Sequence, residues 1–144
     1  MSPEVYLSSL LLYLVKNNEN QLVEQLKDDD NLGKLLTSFR RNPEESFDIL
    51  RRVLNPQHEE INAEMKKIVK QLLVELEKSA EKIPAPEILG LEKREVYDGL
   101  RWILVGKYTF PNIDQVFNYL RDKNLLRSRI ESAKQICSEE ALPS

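Results

Sequence analysis

The chain has 144 residues and a mass of 16.8 kDa, with 41% hydrophobic and 31% charged residues, four Gly, one Cys, one His and a formal net charge of −3. One Cys excludes an internal disulfide, and one His beside one Cys cannot build a zinc centre from the usual Cys/His ligand sets. The acidic balance offers no global attraction for nucleic acid, and this mixture of charge and apolar content belongs to a folded chain rather than a disordered one.

From the N-terminus, the most apolar stretch is Val5 to Val15, whose 11 residues fall well short of the ~20 needed to cross a bilayer. It lacks the basic leader and small-residue cleavage site of a secretory signal. Ser2 as N-cap and Pro3 at the first helical position make it a helix start. Apolar residues on nearly every side place this helix in the core or under a partner. The absent signal and the single Cys137 point to a reducing, cytoplasmic compartment.

Helical periodicity recurs along the rest of the chain, and no run alternates as a strand would. Helices are expected near 3–16, 19–28, 31–41, 43–54, 57–81, 91–108, 113–123 and 126–138. Starts are marked by Asn18, by Asn42 with Pro43 and Glu45, and by Asn112 with Gln115. The clearest stripe is Ile61, Met65, Ile68, Val69, Leu72, Leu73 and Leu76, which predicts one buried face on the helix over 57–81. Residues 82–90, Lys82 to Gly90, form a Pro-rich connector. The expected architecture is all-α: seven or eight mostly antiparallel helices in one domain over 1–144, as a helical bundle or a short α-hairpin stack.

One internal likeness stands out. Asp30, Leu32, Leu36, Phe39, Asn42, Phe47, Leu50 and Arg51 fall opposite Asp98, Leu100, Leu104, Phe110, Asn112, Phe117, Leu120 and Arg121. Each copy would be a helix, a turn and a capped second helix, a unit that must stack on a neighbour to bury its apolar face. The likeness extends to a possible repeat over 30–69 and 98–137. From Phe39 to Lys107, the Asn55-Pro56 break and the Ile68-Val69 helix faintly resemble the small all-helical subunit of the actin-nucleating complex. No motif identifies a family.

Signals for chemistry are sparse. His58 is expected as a solvated residue in the first turn of the helix over 57–81, and His-Glu-x-x-His fails because position 62 is Asn62. The glycines form no phosphate-cradling loop. Glu44-Glu45 and Glu59-Glu60 are explained by the positive ends of helix dipoles. Asp28-Asp29-Asp30 lacks the following ligands of a calcium loop. The expectation is a protein that is not an enzyme and needs no metal or cofactor.

Contact surfaces are the remaining functional signal. Residues 1–39 carry three Lys/Arg against six Asp/Glu, whereas residues 101–144 carry seven against five. Arg121, Lys123, Arg127, Arg129 and Lys134 cluster over the last two helices. Six of the ten aromatic residues lie between Tyr97 and Tyr119, and aromatics beside Arg have hot-spot composition. Arg101, Trp102, Tyr108, Phe110, Arg121, Lys123 and Arg127 are therefore the candidate partner-binding residues. A protein partner or a second copy is expected to dock there, through a helical groove or the aromatic turn. The alternative is a nucleic-acid-associated factor using the basic last two helices, and no membrane contact is expected.

Overall fold

Helix initiation near the N-terminus follows the local chemistry: the Ser2 hydroxyl accepts from the Val5 N–H at 3.3 Å, and α1 runs over Pro3–Lys16. A computed structural model describes residues 2–39, 41–108 and 113–141, with backbone alone for Pro3 and 139–141. It is all-helical, with no strand and nine helices among the described residues. The chain separates into two compact units, Met1–Asn55 and Pro56–Ser144, so the Pro-rich connector over 82–90 lies inside the second unit.

In the first unit α1 packs against α2 (Asn20–Asp28), α3 (Asp30–Phe39) and α4 (Pro43–Leu54). Its inner face buries Tyr6, Leu10 and Leu14 among Val23, Leu26, Leu32, Leu36, Leu50 and Val53, while Val5, Leu12 and Val15 face outward. The Tyr6 hydroxyl meets the buried Ser46 hydroxyl of α4, and Tyr13 lies edge-on to Phe47 at 5.8 Å between centroids. Capping is explicit: Asn42 Oδ1 accepts from Glu45 N–H at 2.8 Å. Asp29 Oδ1 accepts from Asn31 and Leu32 N–H at 3.1 and 3.2 Å, giving the middle carboxylate of the Asp triplet a capping role at α3.

Asn18, expected to start a helix, instead ends one. It has φ of 61° and closes α1 through bonds from Asn18 N–H to Val15 O and from Glu19 N–H to Leu14 O. This is a Schellman stop, in which Asn tolerates the left-handed conformation that usually selects Gly.

In the second unit α5 (Ala63–Lys78) packs against α7 (Lys93–Val105) and α9 (Leu126–Ala141). Both of these also pack against α8 (Ile113–Asp122), and α6 (Pro86–Leu89) is a single turn within the connector. The core is built from Val69, Leu72 and Leu76, from Leu100, Ile103 and Leu104, and from Val116, Phe117, Leu120, Ile130 and Ala133. Helix α7 carries Gly99 where it faces α5. A Cβ there would stand 2.5 Å from Leu72 Cδ1 and 3.2 Å from Ile68 Cγ2, so the absent side chain sets the approach of the two helices.

The main departure from the sequence expectation is the start of α5. It begins at Ala63, not near 57, because Asn62 Oδ1 accepts from Met65 N–H at 2.8 Å and takes the cap. Residues 56–62 are non-helical. Ile61, placed on the buried stripe by periodicity, therefore precedes the helix, while Ile68, Val69, Leu72, Leu73 and Leu76 are buried as that pattern requires.

Both members of the internal likeness contain two successive helices, α3 and α4 in the first and α7 and α8 in the second, with Leu32 and Leu100, Leu36 and Leu104, and Leu50 and Leu120 buried alike. Their environments differ at Phe47, half-buried, and Phe117, fully buried. Phe110 and the expected cap Asn112 lie outside the described residues.

Candidate partner-binding groove

An open concavity of about 850 Å³ lies in the second unit where α5 ends beside the turn between α8 and α9. Helix α5 stops at Ser79, whose extended backbone (φ −156°) breaks the helical path while its N–H still reaches Glu75 O at 3.1 Å. Across from it, α8 ends in a second Schellman stop. Asn124 has φ of 61°, Asn124 N–H bonds to Arg121 O at 3.1 Å, and Leu125 N–H bonds to Leu120 O at 2.9 Å. These two terminations leave a cleft between the end of α5 and the first turns of α9.

Leu76, Leu126 and Ile130 lie beneath the cleft, and charged groups form its walls. Arg127, Ile130, Glu131 and Lys134 share a face of α9 because they are spaced three, four and seven apart. Lys134 Nζ reaches Glu77 Oε1 of α5 at 2.8 Å, and that hydrogen bond raises the lysine above its ordinary pKa. Arg121 Nη1 donates to Glu81 O at 2.8 Å, which fastens the chain after α5 to α8. Lys78 is turned back on Glu75 at 3.2 Å. Arg127 is exposed on the wall.

A second group of polar contacts lies at the other end of the long helices. Helix α7 ends at Gly106 (φ 91°), whose carbonyl accepts from Glu59 N–H at 2.8 Å. Trp102 Nε1 donates to Glu59 O at 2.7 Å. The His58 ring stands edge-on to Trp102 with centroids 4.6 Å apart, and its Nε2 lies 3.3 Å from Ile103 O. His58 is thus half-buried against α7 rather than solvated in a helix turn, because residues 56–62 use their backbone groups on α7 instead of within a helix.

Of the seven candidate residues, the structure brings Arg121 and Arg127 together in the groove. Lys123 is exposed beyond the last turn of α8 and does not line it. Arg101 is half-buried on α7 and pairs with Asp98 at 3.0 Å. Trp102 is only 1% exposed, so its face is spent on packing and its N–H on Glu59 O, and it presents no surface to a partner. Tyr108 is half-buried; burial first, then the nearby Asp98 and Glu59 carboxylates, raise its phenol pKa. Phe110 falls outside the described residues. The charged groove residues that the candidate set missed are Lys78, Glu77, Glu81, Glu131 and Lys134. The α9 members were accessible from their shared helical face; those from the end of α5 required the tertiary fold.

Among the described residues, no three His, Cys, Asp or Glu side chains converge as metal ligands would, and no helix is long and apolar enough to cross a membrane. The Cys137 side chain is buried. No protein-family model, curated protein or solved structure matches the chain.

Proposed function

We propose that this chain is a non-catalytic, cytoplasmic interaction module that docks an acidic segment of a partner protein in the groove between α5 and α9. The observation that carries this reading is the convergence of Arg121, Arg127 and Lys134, from two helices, on one open cleft above Leu76, Leu126 and Ile130. Leu76, Leu126 and Ile130 are buried beneath the cleft, so its charged walls are what a partner segment would meet, and they would orient that segment by its charges. The carboxylates of Glu77, Glu81 and Glu131 line the same cleft. Its charge is therefore mixed, which suits a peptide whose few acidic side chains are spaced to meet Arg127 and avoid those carboxylates, and does not suit the continuous negative charge of a phosphate backbone.

The test compares proteins captured from cell extract by the wild type, by Arg127→Glu in the groove, and by Lys67→Glu on the exposed side of α5. A partner of this groove is held by the wild type and by Lys67→Glu. Its affinity falls roughly tenfold, about 1.4 kcal/mol, with Arg127→Glu. Partners that ignore Arg127→Glu overturn the reading. Capture that disappears on nuclease treatment, with affinity falling steeply in log salt, would replace it with the nucleic-acid alternative.

A further inference from the structure

The chain has one histidine and one tryptophan, and they are in ring contact at 4.6 Å. Around that pair, residues 57–59 are held on the end of α7 by three polar links: Glu59 N–H to Gly106 O, Trp102 Nε1–H to Glu59 O, and His58 Nε2 to Ile103 O. The fit is close, because a Cβ on Gly106 would run into the Gln57 carbonyl oxygen. Ile103, Leu104 and Val105 end the helix, so their carbonyls have no N–H four residues on within it. Since a carbonyl can only accept, the neutral ring on Ile103 O is the Nε2–H tautomer, and Nδ1 is the atom left to take a proton.

We infer that His58 and Trp102 form an acid-sensitive clasp: neutral His58 holds residues 56–61 on the C-terminal end of α7, and a proton on Nδ1, which places a charge in the half-buried seat near Arg129, releases them.

The groups around the ring set the direction. Burial between Trp102 and the α7 backbone opposes a charged imidazole, the Ile103 carbonyl favours it, and the Arg129 guanidinium of α9 opposes it. Together they hold His58 below its ordinary pKa of 6.5. Glu59 follows it on the same segment, and the Asp98 and Glu59 carboxylates act on Tyr108 just after α7. A histidine with a depressed pKa in the closed state binds its proton more readily in the open state. The closed state is therefore fully favoured above pH 6.5 and loses ground as the pH falls toward the closed-state value. Residues 56–61 are non-helical and precede the Asn62 cap of α5, so their release leaves that helix and its cap in place.

The pair supplies its own readout, because Trp102 is the sole tryptophan and an imidazolium beside an indole quenches its emission. In the full chain, Trp102 fluorescence should follow a reversible transition between pH 8 and 5, with its midpoint below 6.5 and helical circular dichroism constant. The protection of the Glu59 amide should be constant above pH 6.5 and drop by up to roughly tenfold per pH unit between 6.5 and the lower closed-state value. His58→Gln, which keeps a side-chain donor toward Ile103 O without a titrating ring, should give a flat profile. A flat wild-type profile, the same transition in His58→Gln, or a transition coinciding with loss of helix each overturns the clasp. If His58→Gln does not fold, an NMR titration of the wild type decides the matter. The clasp then requires His58 and the Glu59 amide exchange to share one midpoint, and separate midpoints overturn it.

Discussion

Helices α3 and α7 occupy corresponding places in the internal likeness, yet their glycines do different work. Gly33 of α3 is buried, but a Cβ there would meet only the Leu7 methyls, at 3.5 and 3.7 Å, an ordinary van der Waals contact. Gly99 of α7 leaves no such room against Leu72, and Gly106 at its end combines φ of 91° with the Gln57 carbonyl. Similar leucine spacing thus yields two helices of unequal tolerance. The first hairpin has an Asn42 cap and loose contact at its glycine; in the second, α7 is pressed at Gly99 on the side chains of Leu72 and Ile68 and at Gly106 on the Gln57 backbone. Close approach of backbones turns a sequence likeness into a structural difference, and glycine is the residue that permits it.

Substitution at these three positions measures the contrast directly. The largest effect is expected from Gly106→Ala, which puts a Cβ at a left-handed position and against a carbonyl. It should cost about 3 kcal/mol in a denaturant titration and loosen residues 57–59. A loss below about 0.5 kcal/mol, the ordinary surface level, would show the clasp to be slack. Gly99→Ala should cost about 1 to 2 kcal/mol through overpacking on Leu72. Adding Leu72→Ala should recover part of that cost, because the two sites share one volume and their effects should not add. Gly33→Ala is expected to stabilise by roughly 0.5–1 kcal/mol, since it replaces a helix-interior glycine where space exists. A destabilising Gly33→Ala would erase the distinction between the two hairpins.

The groove was half legible before folding. Arg121 and Arg127 stand out as basic residues of the last helices, and the three-four-seven spacing puts Lys134 and Glu131 on the Arg127 face. Lys78, Ser79 and Glu81 lie forty or more positions away in the chain and join the groove only because α5 packs against α9. Trp102 shows the opposite failure. Its composition marks a hot spot, but an indole on a helix with Leu100, Ile103 and Leu104 is equally suited to a core. The Glu59 carbonyl that satisfies its N–H is invisible to local pattern.

What the sequence by itself determined is the helical class, the stripe from Ile68 to Leu76, and the caps at Ser2 and Asn42. All of these depend on interactions within a few residues, where spacing and side-chain chemistry suffice. Tertiary structure alone decided that residues 56–62 stay unwound, that His58 rests on Trp102, and that the end of α5 opens a groove against α9. In each case the competing local choice was a helix turn or a solvated side chain. It lost to partners brought from forty or more residues away, which supply hydrogen bonds and burial that no local pattern encodes.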